Sequence, residues 1–202
     1  MIECGDRNLF NKRMLPLVGD FIDGNFVLCG GFGERFKLLD DCIMVDQFQT
    51  KSFKMVEGSK REYASSVKLN DSTIWITGGE SNSTEFVTVH GSSLGITLPI
   101  NVEGHCMVII DSNIVMLIGG IQDKVEYSDK TWIIDVENDF NITEGPRLIK
   151  GRKFHMCGKL KDESGNMIIV AISGSLEDSV EFLDTSQLKQ WVAGTIHNVK
   201  KE

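Results

Sequence analysis

At 202 residues, 41% apolar and 25% charged, the sequence has the composition of a folded domain able to bury a substantial core. Its net charge of −8 and pI near 5.1 argue against nucleic acid as a partner, because phosphate backbones are bound by clustered Lys and Arg. No apolar run reaches the roughly 18–20 residues of a membrane helix, and Met1–Arg7 holds no apolar signal region, so a cytoplasmic protein is expected, with a secreted fragment as the alternative.

In chain order, residues 1–14 carry little pattern, and Asn8–Leu15 reads as the last strand of a preceding unit. After Pro16, the segment Ile22–Gly31 runs from a polar turn through apolar residues to Gly30-Gly31. The same arrangement returns in Leu69–Gly79, ending in Gly78-Gly79, and in Ile110–Gly120, ending in Gly119-Gly120. It returns again in Asp162–Gly174, where Ser173 stands before Gly174. The second glycines lie 41 to 54 residues apart, the period of propeller blades built from several short strands. Turn residues such as Asp23-Gly24, Asn70-Asp71, Asp111-Ser112 and Ser164-Gly165 predict a hairpin between the first two strands of each blade.

The second strands (Phe26–Cys29, Thr73–Thr77, Ile114–Ile118 and Met167–Ile172) are short, β-branched and bounded by glycine, which favours buried strands over helices. The glycine pairs are expected to let neighbouring blades approach closely. Third strands are predicted at Cys42–Asp46, Phe86–His90, Thr131–Asp135 and Val180–Asp184, and fourth-strand residues at Phe53, Ile96, Phe140 and Trp191. The approximate blades are residues 15–57, 58–98, 99–144 and 145–194 of a single domain spanning 1–202, with 1–14 a strand of a preceding blade. All three prolines (Pro16, Pro99, Pro146) are expected between blades, because proline gives no N–H to a ladder. Loops after the glycine pair alternate long and short, which suggests duplication of a two-blade unit.

This set of motifs resembles the kelch repeat, whose second strand ends in a glycine pair and whose fourth strand often carries tryptophan. An Arg-x-x-His opening survives at Arg152–His155, with His105 alone in repeat three and Arg61 alone in repeat two. The resemblance implies an all-β, kelch-type β-propeller of four-stranded blades. Complete kelch propellers have five to seven blades, so the four recognisable here imply part of a longer or open ring, with a compact four-bladed ring as the rival. The chain is accordingly expected to be a monomer or to self-associate through open blade faces. Gly30, Gly31, Gly78, Gly79, Gly119, Gly120, Gly174, Trp132 and Trp191 are assigned structural roles.

Chemistry-bearing motifs are few. Gly31–Phe36 begins like a dinucleotide-binding loop but lacks the third glycine and a following helix. His105 and His155 occupy the same slot of successive repeats, each near a cysteine (Cys106, Cys157), which suits a repeated structural role better than metal ligation. Copper-radical oxidases on a kelch propeller need two tyrosines besides histidines, and Tyr63 and Tyr127 belong to no recognisable site. No enzymatic activity, cofactor or metal is expected. Five cysteines without metal or disulfide spacing read as reduced thiols. Three Asn-x-Ser/Thr triplets, at Asn70, Asn82 and Asn141, lean the other way, although such triplets recur by chance.

The expected function is protein–protein recognition through blade-connecting loops on a rigid scaffold. Candidate contact residues are Glu34, Arg35, Lys37, Glu80, Asn82, Gln122, Asp123, Lys124, Glu177 and Asp178, with Arg61 and Arg152 placed to pair acidic groups of the partner. The alternatives are a galactose-oxidase-like enzyme, or the substrate-receptor part of a ubiquitin ligase.

Overall fold

A computed structural model describes residues 18–46, 49–56 and 61–194. The strand expected before Pro16, Cys4, His197 and the turn at 57–60 lie outside the described residues. The chain forms two compact units, Met1–Glu103 and Gly104–Glu202.

The first unit holds two antiparallel sheets. One is β1 (Val18–Ile22), β2 (Asn25–Cys29), β3 (Asp41–Val45) and β4 (Thr50–Lys54), paired in that order. The other is β5 (Ser65–Asn70), β6 (Thr73–Thr77), β7 (Ser81–Thr88) and β8 (Gly91–Glu103). In the second unit, β9 (Cys106–Asp111), β10 (Ile114–Ile118), β12 (Thr131–Asp135) and β13 (Asn141–Glu144) form a third sheet, with the two-residue β11 (Ile121–Gln122) in the loop after β10. The fourth sheet is β14 (Met156–Lys161), β15 (Met167–Ile172), β16 (Val180–Asp184) and β17 (Trp191–Gly194). Each sheet is an up-and-down meander of four strands, the all-β blade architecture expected from the repeat.

Tight turns set the register. Asp23 (φ 47°) and Gly24 (φ 77°) both adopt the left-handed region that a two-residue hairpin loop requires. That turn is tied to the corresponding turn of the next blade: the Asp23 amide donates to Asp71 O at 2.8 Å, and Ser72 Oγ donates to Asp23 Oδ1 at 2.7 Å. The second strands carry the core. Residues 74–77 of β6 and 115–118 of β10 are buried without interruption, as expected of strands covered on both faces, whereas β2 alternates. In the first unit Ile22, Val27, Met55, Ile74, Ile76 and Val87 form one cluster, and in the second Met116, Ile118, Leu148, Ile169, Leu183 and Trp191 form another.

Two expectations are corrected. Four cysteines are paired: Cys29–Cys42 joins β2 to β3 across a direct register pair, and Cys106–Cys157 joins the first strands of adjacent blades. The second bond closes a separation of 51 residues, which spacing within one repeat does not reveal. The reading of reduced thiols, and with it the basis for a reducing compartment, falls. Pro99, expected in a connection, instead lies inside β8. It sits where the register jumps from Thr97, opposite Ser83, to Val102, opposite Ser81, so the ladder asks it for no N–H.

At Gly79 and Gly119 the backbone of another segment comes too close for a Cβ. A Cβ on Gly79 would stand 2.8 Å from Arg61 Cα, and one on Gly119 would stand 2.6 Å from Arg152 O. Gly79 has φ +91°, so a side chain would also be strained. Gly120, at φ 88°, belongs to the same class. Gly79→Val is expected to lose at least ~2–3 kcal/mol of stability in denaturant unfolding, against within ~0.5 kcal/mol for Gly158→Ala. Gly158 has ordinary backbone and nothing within 4 Å of its added Cβ. An unchanged midpoint for Gly79→Val would remove the close-approach argument.

Candidate functional site

The end of each blade that bears the glycine pair is built on one repeated hydrogen bond. The first residue of the pair donates its N–H to a carbonyl at the start of strand three: Gly30 to Asp41 O (3.0 Å), Gly78 to Ser83 O (3.3 Å), Gly119 to Lys130 O (3.0 Å) and Ser173 to Ser179 O (3.0 Å). The chain then leaves the sheet, so the carbonyls around this turn need donors from elsewhere.

Arginine meets that need in blades two and four. Arg61 Nη1 donates to Gly78 O (2.7 Å) and Ser83 O (2.8 Å), while Nη2 reaches Ser83 Oγ (3.0 Å). Arg152 repeats the pattern on Ser173 O (2.9 Å), Ser179 O (3.1 Å) and Ser179 Oγ (3.2 Å). Each buried cation faces a buried carboxylate two residues beyond that serine. Glu85 lies 3.5 Å from Arg61 Nε, and Glu181 accepts from Arg152 Nη2 at 2.6 Å. The carboxylates are themselves held by backbone: Val56 N–H donates to Glu85, and Ile149 and Lys150 N–H donate to Glu181. Blade three solves the same problem without charge. Gln122 Nε2 donates to Gly119 O (2.7 Å) and Lys130 O (3.2 Å), and Gln122 Oε1 accepts from Trp132 Nε1 (3.1 Å), which occupies the glutamate position.

This arrangement corrects three candidate contacts. Arg61 and Arg152, expected to reach a partner's acidic groups, are 2% and 0% exposed because the turn carbonyls and the internal glutamates hold them. Gln122 is 3% exposed for the same reason. Asn82 is half-buried in β7, and Glu177 is half-buried against Ser179 N–H and Lys150. Hydrogen bonds from Ser179, helped by the Lys150 ammonium, lower the Glu177 carboxyl to about 2, against the desolvation that would raise it. Glu34, Arg35, Lys37, Glu80, Asp123, Lys124 and Asp178 are exposed.

What the sequence reading missed is apolar. Leu176 is 91% exposed, Phe36 76%, Val125 58% and Phe154 47%, all in loops at the glycine-pair ends of their blades. Several of these loops hold non-glycine residues at positive φ, including Phe36 (58°), Lys124 (73°), Phe154 (53°) and Leu176 (63°). Such strain persists where surrounding bonds over-determine the backbone. In the second unit one residue stitches two loops together. Lys153 O accepts from Ser175 N–H (2.8 Å), and Lys153 Nζ pairs with Glu126 (2.7 Å) and lies 4.8 Å from the centre of the Tyr127 ring. Val125, Tyr127, Phe154 and Leu176 therefore share one end of that unit. The sequence signal for Val125, Tyr127 and Leu176 was their position after the glycine that closes a second strand, whereas Phe154 lies in the strand-one entry before β14.

Beneath this surface lie His105 and His155, beside the Cys106–Cys157 bond. Both are buried, and desolvation lowers their pKa values from 6.5, to about 3 for His105 and about 4 for His155. His155 adds charge to the penalty on His105, and Arg152 adds to that on His155.

No protein-family model matches the chain, and no curated protein matches it. Among solved structures it is similar to YjhT, a kelch-type propeller, at 12% identity and a TM-score of 0.62, covering 77% of this chain and 57% of that one. It is also similar to a fungal alcohol oxidase of the AA5 family in complex with copper, at 11% identity and a TM-score of 0.58, covering 81% of this chain and 39% of that one. The chain thus spans little more than half of one relative and well under half of the other. The sheets and these likenesses fit a kelch-like β-propeller. The second likeness also overturns the expectation that the chain is not an enzyme: a protein of this fold is an alcohol oxidase, so the scaffold gives no ground for excluding catalysis. Its copper does not fit the side chains seen here. Among the described residues no three His, Cys, Asp or Glu groups converge to hold a metal ion.

Removing one partner of a buried ion pair costs ~3–5 kcal/mol, because the other charge stays buried and unpaired. Glu181→Gln is therefore expected to destabilise by about that much, and Arg152→Met, Glu181→Leu together by less than the sum of the two single changes. Additive losses in a denaturant cycle would show that the two side chains are not coupled. The histidines set a pH dependence. Their folded pKa values lie below the unfolded 6.5, so their neutral forms favour the fold fully above pH 6.5, and this stability is lost as pH falls from 6.5 toward about 4 for His155 and about 3 for His105. A His155→Leu chain is expected to show a flatter stability profile between pH 6.5 and 5. An unaltered slope would mean that His155 is solvated.

Proposed function

We propose that the chain is a propeller-type recognition module that binds a protein partner through the loops at the glycine-pair ends of its blades. The observation that carries this reading is the set of apolar tips, Leu176 foremost, held out from a base of buried Arg–Glu and Gln–Trp locks. Exposed leucine, valine and phenylalanine on loops lose free energy to water and regain it against an apolar partner surface. The rigid base reduces the entropy lost on binding. In the second unit Lys153 and Glu126 rim the apolar tips with charge, the apolar-centre and polar-rim composition of recognition surfaces. The partner is accordingly a protein segment bearing apolar or aromatic side chains.

The test is photo-crosslinking from the loop after Gly174 in the full chain, followed by affinity measurement with the captured protein. Leu176→Ser with Val125→Ser is expected to weaken binding at least ~30-fold, the scale of a buried hot spot. Melting temperature should hold, because both side chains are exposed. Val192→Ser, in β17 and 55% exposed, serves as control and should bind normally. Equal affinity of the loop variant and the control would overturn the proposal.

A further inference from the structure

Three Asn-x-Ser/Thr triplets become informative once the cysteines are seen to be paired. Disulfides persist in oxidising compartments and are rare where thiols are kept reduced. Two bonds, Cys29–Cys42 in one unit and Cys106–Cys157 in the other, therefore place the folded chain on a secretory route. In eukaryotic cells that same route presents Asn-x-Ser/Thr to oligosaccharide transfer.

The fold separates the three asparagines. Asn141 opens the outer strand β13, is exposed, and is followed by the exposed Thr143. Asn70 closes β5 at the exposed turn Asp71-Ser72, where its Oδ1 accepts the Ser72 amide at 2.9 Å. Asn82 differs: it is half-buried, the Ser83 hydroxyl beside it accepts from buried Arg61, and Thr84 is buried with its Oγ1 bonded to Ile96 O. A bulky polar glycan fits the first two positions without displacing packed atoms and does not fit the third.

Asn70 and Asn141 also share a place in their blades. Asn70 precedes β6, which runs to Gly78-Gly79 at its other end. Asn141 pairs with Asp135, the far end of β12 from Lys130 and its bond to Gly119. Both asparagines thus lie at the blade end opposite the glycine pair.

We propose that Asn141 and Asn70 carry N-linked glycans, acquired in the oxidising compartment where the two disulfides form, and that Asn82 does not. In the transfer, the side-chain Nδ2 of asparagine forms a bond to C1 of the first sugar and loses a proton. The C1–O bond to a polyisoprenyl diphosphate donor breaks, and the lipid diphosphate leaves with the electron pair. Each disulfide forms by exchange with a protein disulfide, which is reduced to a dithiol as two cysteine thiols lose two electrons and two protons. The glycans leave the glycine-pair end of each blade uncovered.

The experiment uses the full chain isolated from its own cells, digested without reduction, before and after peptide N-glycosidase treatment in 18O water. The expected result is 18O-labelled aspartate at positions 141 and 70, unlabelled Asn82, and peptides linked as Cys29–Cys42 and Cys106–Cys157. In cells expressing variants, Thr143→Ala should lose the label at Asn141 and Thr143→Ser should keep it. If Thr143→Ala fails to fold, the Thr143→Ser chain and the native chain still report the site directly. A bare Asn141 on a disulfide-bonded chain overturns the glycan assignment, and free thiols at the four cysteines overturn the compartment from which it follows.

Discussion

The glycine-pair ends of the blades depend on satisfying carbonyl oxygens that the sheet abandons. When strand two ends in two glycines, the backbone turns at positive φ and its carbonyls point away from any ladder. An unmatched buried carbonyl costs about as much as a lost hydrogen bond. Arginine is suited to the position because one guanidinium reaches two carbonyls and a hydroxyl in a fixed fork. Its charge cannot be shed, so burial demands a carboxylate, and Glu85 and Glu181 stand where the fork ends. Gln122 and Trp132 show the neutral solution: an amide covers the same two carbonyls, and since no charge is introduced, an indole N–H suffices where a carboxylate stood.

The lock also determines what packs around it. Because each arginine enters from the start of strand one, it draws that segment against the glycine pair, and only a residue without Cβ tolerates the approach. The backbone amides of the blade joints end on the same glutamates. In blades two and four, strand-one entry, glycine turn and strand-three start are therefore one cooperative unit. In the second unit the Cys106–Cys157 bond adds a covalent tie between adjacent first strands. Two histidines lie next to it, their pKa values lowered by burial.

Such a base suits loops that carry function. Positive-φ residues in the loops are tolerated because bonds beneath them hold the backbone, so side chains as apolar as Leu176 and Phe36 can stand in solvent at fixed positions. The fold itself is indifferent to use: similar sheets appear in YjhT and in a copper-bound alcohol oxidase. What distinguishes this chain lies in its loops and surfaces rather than its sheets.

The sequence by itself determined the sheets. Short β-branched runs that end in Gly-Gly or Ser-Gly at near-regular intervals have few ways to bury themselves other than as repeated meanders, and second and third strands fall where those runs lie. Local chemistry is enough for this, since turn residues and strand periodicity act over a few positions. The tertiary structure decided whatever depended on partners distant in the chain. Arg61 and Arg152 look like surface residues until Glu85 and Glu181, 24 and 29 positions onward, are brought against them. Cys106 and Cys157 are unremarkable singly and become a bond only when two first strands stand side by side. Pro99 is harmless in a strand only because the register skips it. Exposure of Leu176 and Val125 likewise emerges only in the fold, because an apolar residue after a glycine pair reads the same in sequence whether its loop folds inward or stands in water.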